Sequence, residues 1–270
     1  MKFIQSLNPG RILSALDLID QTGNSYSLSR RQALRRVFYT LACVSVSLLF
    51  IHYAKFSSNL SGLLGEATWQ SLQGSNWYQL VGYVWWTSCH FLGFIVLPWL
   101  VIRLVFKQRM RDFGWQLNQV AEHWRGYFLL LSPILIFVVL VSFGEDFVNH
   151  YPFYKQAGRS WFDLLAWELL YLSQFVFLEF FFRGFMLQAL RPAIGANAVW
   201  VMCVPYLMIH FPKLWLEATG AILFGLFLGI LALQSRSIWG GIAVHAGVAL
   251  SMDIAALLRK HEIPSQWWPF

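Results

Sequence analysis

Long apolar runs separated by short polar segments make up most of this chain of 270 residues. A helix needs about 17–25 predominantly apolar residues to cross a bilayer. Runs of that length begin near residues 37, 80, 127, 161, 197, 217 and 238. The pattern therefore predicts an all-α fold, a polytopic membrane helical bundle with about seven transmembrane helices.

The apolar pattern divides the chain into four predicted parts. A cytoplasmic N-terminal segment (1–36) precedes the N-terminal transmembrane helices (37–160). A second group of transmembrane helices (161–258) holds most of the ionisable residues at membrane depth, and a C-terminal tail (259–270) follows. Within the first part, the stretch "ILSALDLI" predicts a short amphipathic helix on the membrane surface.

Composition agrees with this membrane assignment. The chain is 57% hydrophobic and only 12% charged, and its mean hydropathy is +0.52. Its 14 Trp and 10 Tyr residues suit two interfacial belts, where amphipathic rings settle at headgroup depth. The three cysteines lie within apolar runs and have no metal-binding spacing, so they exclude a disulfide framework.

The distribution of cations predicts the orientation. The net charge of +7 is concentrated in clusters at 29–36 and 103–111, and Arg191 and Arg236 fall in later loops of the same side. By the positive-inside rule these clusters are cytoplasmic and do not form a nucleic-acid patch. We expect an integral, multi-pass protein of a bacterial inner (plasma) membrane, with a cytoplasmic N-terminus, lipid as a partner and no nucleic acid.

Ionisable side chains within the apolar runs are candidates for function, because a charge at membrane depth costs a few kcal/mol and normally faces protein or a water-filled cavity. In the C-terminal half they are Glu168, Glu179, Arg183, His210, Glu217, His245 and Asp253.

Depth counting predicts that three of these side chains meet in one cavity. At about 1.5 Å per residue from the expected cytoplasmic ends of their spans, Glu179, His210 and His245 lie roughly 16, 20 and 10 Å deep. For His210 this requires the fifth span to end early. Pro212 provides a reason, since it cannot continue the helix and biases the preceding residue away from helical geometry.

Glu179 and Arg183 allow two interpretations. They are spaced i, i+4 with the acid on the N-terminal side, which is the favourable order for an ion pair that neutralises two costly groups within one helix. Alternatively, Glu179 is a base or metal ligand facing His210 and His245, a combination that binds zinc or polarises a water. The two interpretations are compatible.

Three short motifs resemble the CPBP or Abi group of intramembrane proteases, which includes the type II CAAX prenyl proteases. That group carries EExxxR, FxxxH and HxxxN on successive membrane helices. The corresponding segments here are "LEFFFR" (178–183), "YLMIH" (206–210) and "HAGVA" (245–249). Their order and spacing agree, and the resemblance makes 161–258 a catalytic core.

The resemblance implies an intramembrane endopeptidase that cleaves a peptide or membrane-protein substrate with an activated water. It assigns catalytic roles to Glu179, His210, His245 and Arg183. Zinc held by Glu179, His210 and His245 and a metal-free glutamic mechanism both stay open, and so does the oligomeric state.

Two positions depart from the group's pattern. Leu178 occupies the place of the first glutamate, and Ala249 that of the terminal polar residue. Glu168 is about 16 Å further along its helix than Glu179, too far to replace the missing acid. Asp253 is a candidate partner for the histidines in the second coordination shell, and so is Tyr206, which could also substitute for an oxyanion donor.

These departures keep a second function open, that of a catalytically silent relative acting as a membrane binding or immunity protein. A transporter or channel is a third interpretation, since intramembrane polar residues also mark substrate pathways. It ranks last because the inverted repeat expected of many transporters is not apparent in the sequence.

Overall fold

The structure is a computed structural model that describes residues 8–22, 28–117, 120–213 and 215–269. Helix accounts for 81% of it, with no strand in the described ranges. Six helical segments within these ranges are long and apolar enough to cross a membrane: Arg30–Ala54, Tyr78–Phe106, Ala121–Val141, Trp161–Met208, Glu217–Ser235 and Trp239–Lys260. The predicted all-α membrane bundle is confirmed.

The difference between seven predicted spans and six observed ones lies in one segment. Trp161–Met208 counts as a single 48-residue span, but it contains both of the apolar runs predicted to begin near residues 161 and 197. Gly195 interrupts its helix with φ 64°, a left-handed conformation that glycine adopts without steric cost. The segment therefore consists of two helical parts joined by a turn at Gly195.

The principal helices of the described ranges are α1 (Pro9–Thr22), α2 (Arg30–Ala54), α3 (Tyr78–Phe91), α4 (Trp124–Val141), α5 (Trp161–Glu179), α6 (Leu187–Ile194), α7 (Ala198–Met208), α8 (Trp215–Ser235) and α9 (Trp239–Lys260). Shorter helical pieces occupy Ser61–Leu64, Glu66–Gln73 and Glu145–His150. Helix α3 continues through two wide π-helical turns as far as Phe106.

The chain forms two compact units that alternate along the sequence. The first unit comprises residues 1–46, 95–129 and 178–242, and the second comprises 47–94, 130–177 and 243–270. Each unit has buried side chains of its own, such as Arg183 in the first and Trp167 in the second.

In the first unit, the predicted amphipathic helix α1 packs on the turn between α6 and α7. Leu16 and Ile19 are buried. The Asp20 carboxylate accepts a hydrogen bond from the Ala196 backbone N–H at 2.7 Å, and Arg191 donates to the Ile19 carbonyl at 3.1 Å. The amphipathic pattern thus buries its apolar face against protein and fixes the end of α1 by polar contacts.

Glycines of the stretch 220–229 set the close packing of α7 against α8 in the first unit. A Cβ added at Gly225 would lie 3.0 Å from Cys203 Sγ, and one at Gly229 would lie 3.1 Å from Val199. Both distances are tighter than ordinary van der Waals contact. The absence of side chains at these glycines is therefore what allows the two helices to approach.

The second unit has an aromatic core around Trp167, which is fully buried. Its indole stacks on Tyr171 at a centroid distance of 4.8 Å and meets the Tyr83 ring edge-on at 4.7 Å. Such pairs contribute about 0.5–1.5 kcal/mol beyond the area that they bury. Helix α5 is thus anchored by its aromatic face.

A polar cluster holds the start of α5 in the second unit. The Tyr154 hydroxyl donates to Asp163 at 2.6 Å, and Arg159 binds the same carboxylate at 2.7 Å. Ser160 accepts the Asp163 backbone N–H at 3.1 Å, which satisfies one of the N–H groups that helix geometry leaves unpaired. Burial raises the pKa of Tyr154 above its usual value, and its bond to the carboxylate acts in the same direction.

The segment 266–268 completes this end of α5. The Trp161 and Phe162 backbone N–H groups donate to the carbonyls of Gln266 and Trp267 at 2.9 and 3.1 Å. The Phe162 ring also stacks on Trp268, with centroids 5.1 Å apart. Backbone carbonyls from a distant part of the chain therefore satisfy first-turn donors of the helix that leads to Glu179.

Candidate functional site

Glu179 and Arg183 form a buried ion pair in the first unit. Arg183 Nη1 lies 3.1 Å from Glu179 Oε1, and the two side chains are 0% and 1% exposed. The i, i+4 pairing predicted from the sequence is therefore present. Removing either partner would leave a buried charge without its counter-ion, which typically costs about 3–5 kcal/mol.

The backbone around the pair departs from an ordinary α-helix. Helix α5 ends at Glu179, and a π-helix follows over Phe180–Met186. All seven of its residues are buried, including Arg183. Gly184 permits this packing, since an added Cβ would lie 2.6 Å from the Phe113 carbonyl oxygen. Single π turns inside α-helices are frequent at functional sites.

The ring of Tyr206 also contacts the arginine. The Arg183 guanidinium carbon lies 4.0 Å from the centroid of the Tyr206 ring, and Tyr206 is itself 1% exposed. A planar guanidinium over an aromatic face is a favourable cation–π arrangement, and desolvation strengthens it. Arg183 is therefore fixed between an acid and a ring.

His210 lies just beyond the end of α7, which stops at Met208. The early end predicted from Pro212 is confirmed. His210 Nδ1 is 2.7 Å from the Tyr206 carbonyl oxygen, and the two rings lie 4.6 Å apart. A carbonyl only accepts, so Nδ1 carries the hydrogen, and Nε2 of a neutral imidazole keeps its lone pair for a proton or a ligand.

Tyr206 consequently contacts both Arg183 and His210 in the first unit. Its ring faces Arg183 and its carbonyl orients His210. The sequence analysis placed Tyr206 in the second coordination shell of the histidines, and that role stays a prediction. Its hydroxyl as an oxyanion donor stays a prediction.

Gly241 is the neighbour of Glu179 that sequence reasoning missed. A Cβ added at Gly241 would lie 2.8 Å from Glu179 Cδ, and one at Gly240 would lie 2.6 Å from Tyr127 Cε1. The glycine pair thus lets the first turn of α9 pack directly against the carboxylate and the Tyr127 ring. The available signal was "WGGIAVH", because adjacent glycines at a helix start indicate a close approach.

Three of the predicted residues, His245, Asp253 and Glu168, lie in the second unit. The His245 ring stacks on Phe175, with centroids 5.7 Å apart and an interplanar angle of 10°. Asp253 is fully buried and accepts the Trp167 Nε1–H at 2.6 Å. Glu168 is also buried, and neither of its oxygens has a hydrogen-bond donor among the described residues. The role of Asp253 beside the histidines stays a prediction.

Ala249, at the position of the missing polar residue, is 3% exposed and belongs to the aromatic core of the second unit. Its methyl group packs among apolar side chains and offers no hydrogen bond. The place that the resemblance reserves for an oxyanion donor is therefore filled by an apolar contact.

Within the described ranges, no group of three or more His, Cys, Asp or Glu side chains is arranged to hold a metal ion. The zinc set of Glu179, His210 and His245 stays a prediction.

Taken together, these features define an all-helical integral membrane protein in which the Glu179–Arg183 pair is buried and Arg183 also contacts the Tyr206 ring. Residues 159–251 match the family model for type II CAAX prenyl endopeptidase Rce1-like proteins. The matched segment contains all three motifs, and the match confirms the predicted resemblance to CPBP and CAAX proteases, generally a peptidase family. No curated protein and no solved structure matches the chain.

Proposed function

We propose that this protein is an intramembrane endopeptidase that hydrolyses a peptide bond with a water activated by Glu179 and His210. The observation that carries the proposal is the buried Glu179–Arg183 pair inside the segment that matches the protease family. Buried charge at membrane depth is costly and usually marks a functional site.

Glu179 takes the role of base in this proposal, since Leu178 has no ionisable group. The carboxylate accepts a proton from the water while the water oxygen attacks the carbonyl carbon of the scissile bond. The same proton then passes to the leaving nitrogen as the C–N bond breaks, which yields a carboxylic acid and an amine. General acid–base transfer of this kind contributes about 10²–10⁴-fold in rate.

The surrounding groups position the acid and the water. Arg183 fixes one carboxylate oxygen at 3.1 Å, and Tyr206 keeps Arg183 in place through its ring. His210, oriented by its bond to the Tyr206 carbonyl, presents Nε2 as an acceptor for the second hydrogen of the water. The role of His245, which is to stabilise the oxyanion, rests on the resemblance.

The test is cleavage of a peptide and membrane-protein library by the purified protein. We expect Glu179→Gln and His210→Ala each to lower the cleavage rate at least about 100-fold. Glu217→Gln is the matched control, because Glu217 also pairs at i, i+4 but is 32% exposed. A zinc chelator added to each reaction decides between the metal-dependent and metal-free forms.

Equal cleavage by wild type and Glu179→Gln would refute the role of Glu179. Loss of cleavage from Glu217→Gln as well would show that the assay reports folding and not chemistry.

The second candidate is a catalytically silent relative that binds a partner in the membrane. Leu178 and the buried Ala249 favour it, since both replace polar groups of the family pattern. Wild-type protein that unfolds cooperatively on heating yet cleaves no member of the library would support this candidate. Cleavage that depends on Glu179 would exclude it.

We also propose that the protein resides in a bacterial inner membrane with the N-terminus in the cytoplasm. The cation clusters at 29–36 and 103–111 support this orientation. Exposed Ser29 and Ser58 provide labelling sites. An impermeant maleimide should label Ser58→Cys and not Ser29→Cys on intact spheroplasts, and the reverse would overturn the orientation.

A further inference from the structure

A cavity of about 340 Å³ lies in the second unit. Its volume falls within the range of about 300–1,000 Å³ that is usual for small-molecule sites. The walls come from the segment that follows α4, from the short helix Glu145–His150 and from the last turn of α9. The lining residues are Ser142, Phe143, Glu145, Val148, Asn149 and Arg259.

The lining contains an acid and a base that do not pair with each other. Glu145, Asn149 and Arg259 are exposed. Among the described residues, none of these three side chains makes a hydrogen bond or an ion pair. Glu145 and Arg259 therefore line one cavity with opposite charges that lie too far apart for a direct ion pair.

An aromatic ring holds the Arg259 guanidinium in place. The guanidinium carbon lies 3.4 Å from the centroid of the Phe143 ring, which is a cation–π arrangement. A stacked guanidinium keeps its N–H donors in its own plane, where they can bind phosphate oxygens in a bidentate manner. Restricting the side chain in this way reduces the conformational entropy that is lost when a ligand binds.

Further charges of both signs lie next to the lining residues. Asp146 follows the lining acid, and Lys260 follows the lining arginine. Lys260 keeps its charge, since it donates to the Tyr151 carbonyl, a neutral acceptor, at 2.9 Å. Lys155 interacts electrostatically with Lys260 and with Glu262. A ligand is therefore recognised here by where its charges lie and not by their sum.

The cavity lies at the depth of lipid headgroups. The membrane spans that contain α4 and α9 end at Val141 and Lys260, beside the cavity lining in the sequence. Helices that cross a bilayer end near its polar boundary. The neighbouring turns of the two helices expose the apolar side chains of Val139, Leu140 and Leu258. A ligand with a polar head and a hydrocarbon body would match both surfaces.

We infer that this cavity binds the headgroup of a zwitterionic phospholipid with a primary amine, its phosphate on Arg259 and its ammonium on Glu145. Phosphatidylethanolamine carries these two charges a short distance apart, so it can reach both side chains at once. A purely anionic headgroup would place its charge near Glu145 without a compensating cation, which disfavours it. The acyl chains would lie along the exposed apolar side chains of α4 and α9.

This lipid site is separate from the proposed protease activity. Glu179 belongs to the first unit and is not part of the cavity lining. Loss of lipid binding and loss of cleavage are therefore distinguishable results.

The experiment uses the purified, delipidated full chain and measures its retention of added lipid by native mass spectrometry. Phosphatidylethanolamine is compared with phosphatidylglycerol, which has the phosphate but no ammonium, and free phosphoethanolamine tests the headgroup without acyl chains. Glu145→Gln removes the acid of the cavity, and Asp146→Asn makes the same charge change one residue away, outside the lining. Arg259→Gln removes the cation, and Arg111→Gln is its control at an exposed arginine outside the lining.

We expect wild type to retain phosphatidylethanolamine in preference to phosphatidylglycerol. An exposed ion pair changes affinity by up to about fivefold. Glu145→Gln should therefore bind phosphatidylethanolamine about threefold to fivefold more weakly and lose the preference between the two lipids. Arg259→Gln should weaken both lipids about fivefold, because both carry the phosphate. Asp146→Asn and Arg111→Gln should bind like wild type.

Three results would overturn the inference. Equal retention of the two lipids by wild type would remove the selectivity for the ammonium group. Equal effects of Glu145→Gln and Asp146→Asn, or of Arg259→Gln and Arg111→Gln, would show general surface electrostatics. Displacement of the lipid by phosphoethanolamine at the lipid's own concentration would show a site for small zwitterions with no use for the acyl chains.

Discussion

The contact between Gly241 and Glu179 gives a prediction that can be tested without a substrate. In Gly241→Ala the new Cβ would lie 2.8 Å from Glu179 Cδ. Glu179 Oε2 would lie closer still, and ordinary contact begins near 3.4 Å, so the carboxylate or the first turn of α9 must move by about 1 Å in a closely packed interior. Movement of the carboxylate would lengthen its 3.1 Å contact with Arg183.

The expected cost follows from two opposing contributions. Overpacking a buried site costs about 1–3 kcal/mol, and replacing glycine by alanine in a helix returns up to about 1 kcal/mol. Because the added Cβ overlaps the Glu179 carboxylate severely, the upper part of the overpacking range applies. The net destabilisation is then about 1–2 kcal/mol if the ion pair survives, and about 3–5 kcal/mol if it breaks. The smaller figure corresponds to a fall in Tm of roughly 2–8 °C for a chain of this size.

The assay is thermal unfolding of the purified protein in detergent. Gly247→Ala is the matched control on the same helix, because a Cβ there meets Leu131 at an ordinary 3.8 Å; its Tm should be unchanged or slightly higher. The double variant Gly241→Ala/Glu179→Asp, whose acid is one methylene shorter, should recover part of the Tm lost by Gly241→Ala alone. The reasoning is refuted if Gly241→Ala is as stable as Gly247→Ala.

Three further predictions concern buried polar contacts. Arg183→Lys keeps the charge but loses the planar contact with Tyr206, so cleavage should fall about tenfold; equal kcat/KM in the two proteins would contradict this. Trp167→Phe removes the 2.6 Å bond to Asp253 and should lower the unfolding free energy by about 1–3 kcal/mol, whereas an unchanged chemical denaturation midpoint would argue against it. The raised pKa of Tyr154 means that its contribution to stability is complete below about pH 10, the usual tyrosine value, and is lost as pH rises above it. Tyr154→Phe should reduce this alkaline loss of Tm, and an identical pH profile would be evidence against that role.

Local sequence features predicted part of the fold and site. Apolar run length identified the membrane segments, because burying backbone in lipid requires helices. Pro212 predicted the early end of α7 before His210. The spacing of Glu179 and Arg183 predicted their ion pair, since i, i+4 side chains share a helix face.

Features set by tertiary packing were not predictable in this way. The π-helix at Phe180–Met186 has no local signature that distinguishes it from α-helix. The approach of Gly241 to Glu179 joins segments distant in the chain. The ring contact between Tyr206 and Arg183 likewise depends on how α7 packs, whereas the motif spacing gave only the sequence positions.

The pairing of Trp161 and Phe162 with Gln266 and Trp267 has a consequence for biosynthesis. The acceptors for the first turn of α5 are translated about 100 residues after its donors, which takes about 5–20 s at typical elongation rates. During that interval the Trp161 and Phe162 amides, at the start of the helix that leads to Glu179, lack their final acceptors. Completion of α5 is therefore a late event in the synthesis of the protein, although its residues emerge well before those of α9.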